Sequence, residues 1–267
     1  MSLVTTTWHG KTAIVTLNRA AKRNAMDRAV WQAMGDTARA LAKASPRAVV
    51  VTGDGAHFSA GMDLSMGNPL LQTLAQAVST KDRASVGEMI DWLNAQVEAY
   101  TQLPCPVIAA IEGVCVGSGL ELALACDLRV GAEGSRYALP ETKVGLCPDV
   151  GGARRLHALI GPARTIDLIA TSRTIDQPTA MAWGLLDRVC DAGDALQSAL
   201  ALAEQTRVSG PGALAATLAY VRSIGAANSE QTRAAERRAG MAAVMTGEAL
   251  EGAAAFAQRR APSWVNS

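Results

Sequence analysis

Between Pro104 and Asp127 the chain reads PCPVIAAIEGVCVGSGLELALACD, and no other stretch restricts the fold so strongly. Val107 to Ile111 has the composition of a buried strand, Gly113, Gly117 and Gly119 mark a turn, and an apolar helix opens near Ser118. A strand that passes through a glycine turn into a helix start leaves backbone N–H groups pointing at one spot, because the first helical N–H groups have no partner inside the helix. The helix dipole adds to them, so the spot favours negative charge. Glu121 stands in the first turn of the same helix. A carboxylate beside an anion-welcoming pocket suits chemistry that makes a transient anion and moves a proton.

The rest of the chain reads as support for such a turn. Residues 3–9 and 12–17 alternate around His9-Gly10-Lys11 and predict a hairpin. Asn18 to Asn24 is a polar, basic loop, followed by a helix from about Asp27 to Ala44, capped by Asp27, with Val30, Met34, Ala38 and Leu41 on one face. Ala48 to Thr52 is a buried strand ending in Gly53-Asp54-Gly55, and strand–turn–helix recurs at 107–127, at 128–145 and around 186–190. Such alternation predicts an α/β fold with right-handed crossovers. Ser65 to Arg83 has no firm period and reads as a variable segment, whereas Glu88 to Gln102, Pro162 to Thr171 and Pro178 to Gly184 read as helices. From Ala195 onward the chain is alanine-rich and helical, with breaks at Gly210-Pro211-Gly212 and Gly225, so the sequence divides into a core, 1–195, and a C-terminal helical region, 196–267.

Composition excludes several functions. At 267 residues, 49% of them apolar, the chain can bury a full core. Its 25 basic and 24 acidic residues give a formal charge of +1, which is no electrostatic case for nucleic acid or an anionic membrane. The five scattered cysteines form no C-x-x-C pair and read as buried free thiols of a reducing compartment. No basic leader or run of ~18 apolar residues is present, so a cytoplasmic location is the expectation. Three isolated histidines and no Cys/His cluster argue against a metal.

Familiar motifs also fail. A hydrolase G-x-S-x-G would need glycine where Val116 and Leu120 stand, and a dinucleotide fingerprint would need it at Leu122. What remains is a pair of peptide-rich turns, each at the exit of a core strand. The first is GDGAHFSAGMDL, Gly53 to Leu64, whose Ser59-Ala60-Gly61 has almost no side chains and lets a ligand approach the backbone; the second is the stretch around Ser118. Together they suggest a two-donor oxyanion site.

The segments HFSAGMDL and AAIEGVCVGSGLELALACDLRV resemble the crotonase superfamily, the enoyl-CoA hydratase/isomerase family. NRAAKRNAM, ALPETKVGLCPDVGGARRL, AMAWGLLDRV and EGAAAFAQRRAPSW resemble further family segments in order, so the likeness spans the chain. It implies a spiral of repeated ββα units with a C-terminal α-helical region, and an acyl-CoA thioester as substrate, with coenzyme A carried by the substrate and no separate cofactor. It further implies oxyanion donors at the N–H groups of Ala60 and Ser118, serine at the latter being a departure from the usual glycine, and a catalytic pair Glu121 and Glu141. Glu121 would be the base on water and Glu141 the proton donor to the α-carbon of a 2-enoyl-CoA. Without the likeness, Glu121 would read as a helix-terminus carboxylate and Glu141 as a solvated loop residue.

Asp149, in CPDVGG, departs from the hydratase pattern and resembles the dienoyl-CoA isomerases and the 3-hydroxyisobutyryl-CoA hydrolases. Its plain alternative is a cap or turn residue. The likeness implies coenzyme A contacts at Lys22, Arg23 and Ala25, and along Ala60, Gly61, Met62 and Asp63. It places Phe256, Arg259 and Arg260 at the nucleotide or its phosphates, and it implies a homotrimer or a hexamer built by the C-terminal helices. Hydration is the leading reaction. The alternatives are isomerisation through Glu141 with Asp149 or Glu121, hydrolysis of a 3-hydroxyacyl-CoA, and a binding protein without turnover.

Overall fold

The computed structural model describes residues 2–224 and 229–265. Strands β1 (Val4–His9) and β2 (Thr12–Leu17) form the expected hairpin, pairing from Val4–Leu17 to His9–Thr12. Helix α1 (Arg28–Ala44) starts at Asp27, whose side chain accepts the Val30 N–H, and leads into β3 (Ala48–Gly53). Helices α2 (Pro69–Thr80) and α3 (Arg83–Thr101) precede β4 (Val107–Ile111), β5 (Val114–Val116) and α4 (Ser118–Ala125). The chain continues through β6 (Leu128–Ala132), β7 (Arg136–Ala138), a 3-10 turn at Glu141–Val144, α5 (Gly152–Ile160), α6 (Pro162–Thr171), β8 (Ile175–Asp176), α7 (Gln177–Trp183) and β9 (Arg188–Cys190). Four helices close it: α8 (Ala195–Gln205), α9 (Pro211–Ser223), α10 (Glu230–Met245) and α11 (Glu248–Ala257).

Six strands form one sheet in the order β1-β2-β3-β4-β6-β9, parallel except for the hairpin, and β5-β7-β8 form a small second sheet. Each main strand sends its excursion through the small sheet or a helix before returning, which is the repeated ββα winding. The central strands are apolar along Val49–Val51 and Val107–Ile111, none of which has exposed surface, because both faces are covered. Val49, Val51, Val107, Ala109 and Ile111 enter the larger core with α1, α3 and α4, while the alternate residues Val50, Ile108, Ala110 and Val130 face α8.

Two readings change. The segment 65–83 holds α2, whose start is Asn68-Pro69: the Asn68 side chain accepts the Leu70 N–H, and Pro69 occupies the first helical position. The helix that opens at Ala195 belongs to the core, because Ala195, Ala199, Leu200 and Ala203 pack across β3, β4 and β6. Only the later helices are appended. Among them α10 lies along α3, and α11 sits on the Glu141–Val144 turn of its own chain, while the break expected at Gly225 lies outside the described residues. All five cysteines are free, three of them buried.

Ile108, with no exposed surface, is wedged between the sheet and α8. Ile108→Ala should lower the unfolding free energy by about 2–5 kcal/mol, read as a reduced urea midpoint at unchanged slope.

Candidate active site

Between β3 and α2 the chain crosses the basic loop, and nearly every peptide group there is spoken for. Asn24 Nδ2 donates to the carbonyls of Asp54 and His57, and its Oδ1 accepts the Arg19 N–H. Ser59 bridges to β5 through Val114 and Val116, the Gly61 N–H donates to Ser59 Oγ, and the Gly61 carbonyl accepts the Met26 N–H. The Ala60 N–H donates to the Arg23 carbonyl at 2.8 Å. Ala60 is therefore not the open donor expected from the sequence; its hydrogen is consumed in pinning the two loops together. The next position with a free hydrogen is Met62, whose N–H has no hydrogen-bond partner among the described residues.

Gly61 separates these two residues at φ +84, in the region that favours glycine. A Cβ there would sit 2.7 Å from the Val116 carbonyl and 3.2 Å from the Ser118 nitrogen. The bare Gly61 backbone thus brings the Met62 loop against the start of α4. Gly117, the residue before α4, has φ 54, and its own N–H is held by the Ala138 carbonyl. Ser118 is the first helical residue, so its N–H has no intrahelical acceptor. A Cβ on Gly117 would lie 3.2 Å from Glu141 Oε1, which places the second glutamate directly beside this turn.

The two glutamates are buried in opposite ways. Glu121 Oε1 accepts N–H bonds from Val150 at 2.9 Å, in the turn before α5, and from Gly152 at 3.0 Å, the first residue of α5. Burial, and then the charge of Glu236, push its carboxyl up to about 7 against these hydrogen bonds. Neither oxygen of Glu141 has a hydrogen-bond partner among the described residues, and burial first, then the Glu121 charge, hold it well above the ordinary carboxylate range. Asp149 is also held high, by burial and by the charges of Glu121 and Glu236. It does not cap α5, whose start at Gly151 has no side-chain cap, and the Asp149 carbonyl accepts from Asn94.

Glu121, Glu141, Asp149 and Ser118 line one cavity of about 870 Å³, together with Ala60 and Met62. Its wall is apolar, from Leu74, Met89, Ile90, Leu93, Leu146 and Val244. Lys22, Arg23, Phe256, Arg259 and Arg260 line the same cavity and are exposed, so they form its mouth; Ala25 and Asp63 are buried in its lining. Gly61 lies behind the lining. The Asp63 carboxylate is engaged by Arg19 and the Ser65 N–H, and both guanidinium arms of Arg260 reach Glu251, which leaves Lys22, Arg23, Lys143 and Arg259 as the exposed lining cations without such a pairing among the described residues. No group of three metal-ligating side chains occurs among the described residues, and none of their helices is long and apolar enough to cross a membrane.

The sequence profile described as enoyl-CoA hydratase/isomerase matches residues 9–267. The chain belongs to that family. A probable enoyl-CoA hydratase of Mycobacterium bovis is 34% identical over 259 residues, covering 96% of this chain and 95% of the relative. A carnitinyl-CoA dehydratase of Salmonella typhi is also 34% identical, over 97% of this chain and 96% of its own. The solved carnitinyl-CoA hydratase of Mycobacterium avium superimposes with a TM-score of 0.81 at 31% identity, covering 100% of both chains. The winding of ββα units is therefore the crotonase fold, and this enoyl-CoA hydratase/isomerase family member is an enzyme of a family that acts on acyl-CoA thioesters.

Four residues of the family member's site escaped the sequence reading. Arg154 and Arg155 are almost fully buried on α5; both bond Glu98 of α3, and Arg154 Nε also bonds Glu236 of α10. Arg-Arg after Gly-Gly-Ala was a visible signal, because such a pair inside an apolar helix face needs carboxylates. Glu236 in AAERRAG gave none.

Glu121 carries its proton to higher pH folded than unfolded. The native state therefore binds more protons between the ordinary value of 4.5 and about 7, and stability falls as pH rises through that window. Glu121→Gln, whose amide oxygen still accepts the Val150 and Gly152 N–H groups, should be more stable than the parent at pH 8 by on the order of 1–3 kcal/mol. Thermal melts should show the advantage vanishing toward pH 5.

Proposed function

We propose that the enzyme adds water across the 2,3 double bond of an enoyl-CoA thioester and catalyses the reverse elimination at the same site. One observation carries this reading: two buried glutamates line one cavity, one held by two N–H donors and the other with none. N–H bonds favour the ionised form of Glu121, whereas an unpartnered buried carboxyl stays protonated, so Glu121 is the base and Glu141 the acid.

The thioester oxygen is received by the N–H groups of Ser118 and Met62, at the start of α4, where developing enolate charge is stabilised. Glu121 takes a proton from water as its oxygen bonds to C3. The electron pair of the double bond moves toward the thioester oxygen, and Glu141 gives its proton to C2. One water is consumed and one carbon–oxygen bond formed. Lys22, Arg23 and Arg259 are suited to the phosphates of the coenzyme A portion, with Phe256 beside them, and the apolar wall takes the acyl chain. The relatives named carnitinyl-CoA dehydratase and hydratase perform, by name, water elimination and addition, which agrees with a site run in both directions.

Asp149 supports a second reading, migration of the double bond. It is a third carboxyl in the cavity with no capping duty, and it is able to exchange a proton with a more distant acyl carbon.

On crotonyl-CoA, Glu121→Gln and Glu141→Gln should each cost about 10²–10⁴ in kcat, while Gly61→Ala, which disturbs the Met62 and Ser118 donors, should cost about 10²–10³. Parental rates in both glutamine variants sink the hydratase reading. Asp149→Asn should leave crotonyl-CoA hydration within a few-fold (roughly, for a group outside the proton transfers). A collapse of 3,5-dienoyl-CoA conversion in the same variant selects isomerisation instead.

A further inference from the structure

Helix α10 meets the site with three residues spaced one turn apart. Glu236 is followed by Gly240, where a Cβ would strike Asp149 Oδ2 at 2.0 Å, and then by Val244 in the cavity wall. The Asp149 carboxyl therefore rests on bare helix backbone one turn from Glu236. The Glu236 side chain is only 7% exposed: its Oε2 accepts from Arg154 Nε at 3.0 Å, and its Oε1 has no hydrogen-bond partner among the described residues.

The charges facing one another here come from every packed element. Glu98 comes from α3, Glu121 from α4, Glu141 from the 3-10 turn, Asp149 and the Cys147 thiol from the loop, Arg154 and Arg155 from α5, and Glu236 from α10. Arg237, beside Glu236, turns to Asp91 at the surface. Arg154 and Arg155 pair with Glu98 and Glu236, whereas Glu121, Glu141 and Asp149 have no guanidinium partner among the described residues; a buried, uncompensated carboxylate is costly, so the cluster must keep protons. The arginines also link its ends. Arg154 joins Glu236 to Glu98, Glu98 joins Arg155, and Arg155 bonds the carbonyl of Val150, whose N–H holds Glu121.

We propose that Glu236 is a positioning residue for Glu121: carried in by α10 and oriented by Arg154, it decides whether the cluster's mobile proton sits on the base. The assignment of Glu121 as base rests on the function proposed above. Electrostatically, the Glu236 charge keeps a proton on Glu121 to higher pH, and its removal frees the base in more acidic solution. The proton involved remains within the cluster or exchanges with water, and no other reagent is required.

Glu236→Gln keeps an acceptor for Arg154 and removes the charge, and Glu236→Asp restores the charge. With 13C-carboxyl-labelled glutamate, the Glu121 resonance, assigned by its loss in Glu121→Gln, should titrate about half a pH unit or more lower in Glu236→Gln and return toward the parental midpoint in Glu236→Asp. The acid limb of kcat/KM for crotonyl-CoA should move the same way. An unmoved Glu121 midpoint in folded Glu236→Gln, with kcat/KM lowered evenly at all pH, overturns the proposal, as does a Glu236→Asp midpoint that matches no charge. If the parent does not hydrate crotonyl-CoA, the proposed function fails, and the NMR midpoint alone still decides the role of Glu236.

Discussion

Buried peptide groups must find partners, and this constraint organises the site. Residues 59–63 lie between the 19–26 loop on one side and β5 with α4 on the other. Arg23, Asn24, Met26, Val114 and Val116 take up their donors and acceptors almost completely. What is left over is as informative as what is used. The N–H groups of Met62 and Ser118 have no such partner among the described residues, both residues line the cavity, and their two segments pack closely because Gly61 has no side chain to hold them apart. In the proposed reaction such donors need no movement to receive charge, since they are fixed by bonds on their other flanks.

The acidic groups follow from the same economy. Glu121 is kept near ionisation by the Val150 and Gly152 N–H groups, while Glu141, a few atoms from Gly117, has no such help. Both carboxyls are thereby held above the ordinary carboxylate range, Glu121 with N–H donors opposing the shift and Glu141 without them among the described residues. The cost is borne by the fold. Carboxyls that would ionise freely in an unfolded chain are held in an apolar cavity, and the Glu98–Arg154–Glu236 and Glu98–Arg155 links offset part of that strain.

Much of this was legible in the chain. The hairpin, α1 with its Asp27 cap, β3, β4 and the strand–turn–helix at Ser118 carry local signals, namely alternation, a cap and glycines, that tertiary packing reinforces. Glu121 and Glu141 were recognisable by motif. Helix α2 was missed because its period is weak, although Asn68-Pro69 announced its start. Ala60 was misassigned because sequence says which peptide groups lie in a turn but not which of them already have an acceptor; the Arg23 carbonyl reaches it only through tertiary contact. Glu236 was invisible for a similar reason. On an amphipathic alanine-rich helix a glutamate reads as solvated, and only the docking of α10 along α3 buries it.

That docking also sets an order of events. The six-stranded sheet, its α8 cover and the peptide cradle at Gly61 are all encoded before Gly210, so they can assemble while the chain is still being synthesised. Val244, Gly252, Ala255 and Phe256 line the cavity from α10 and α11, which are synthesised after that sheet. Until α10 and α11 pack, the cavity that holds Glu121 and Glu141 therefore lacks part of its wall. The site is enclosed only when α11 sits on the Glu141–Val144 turn.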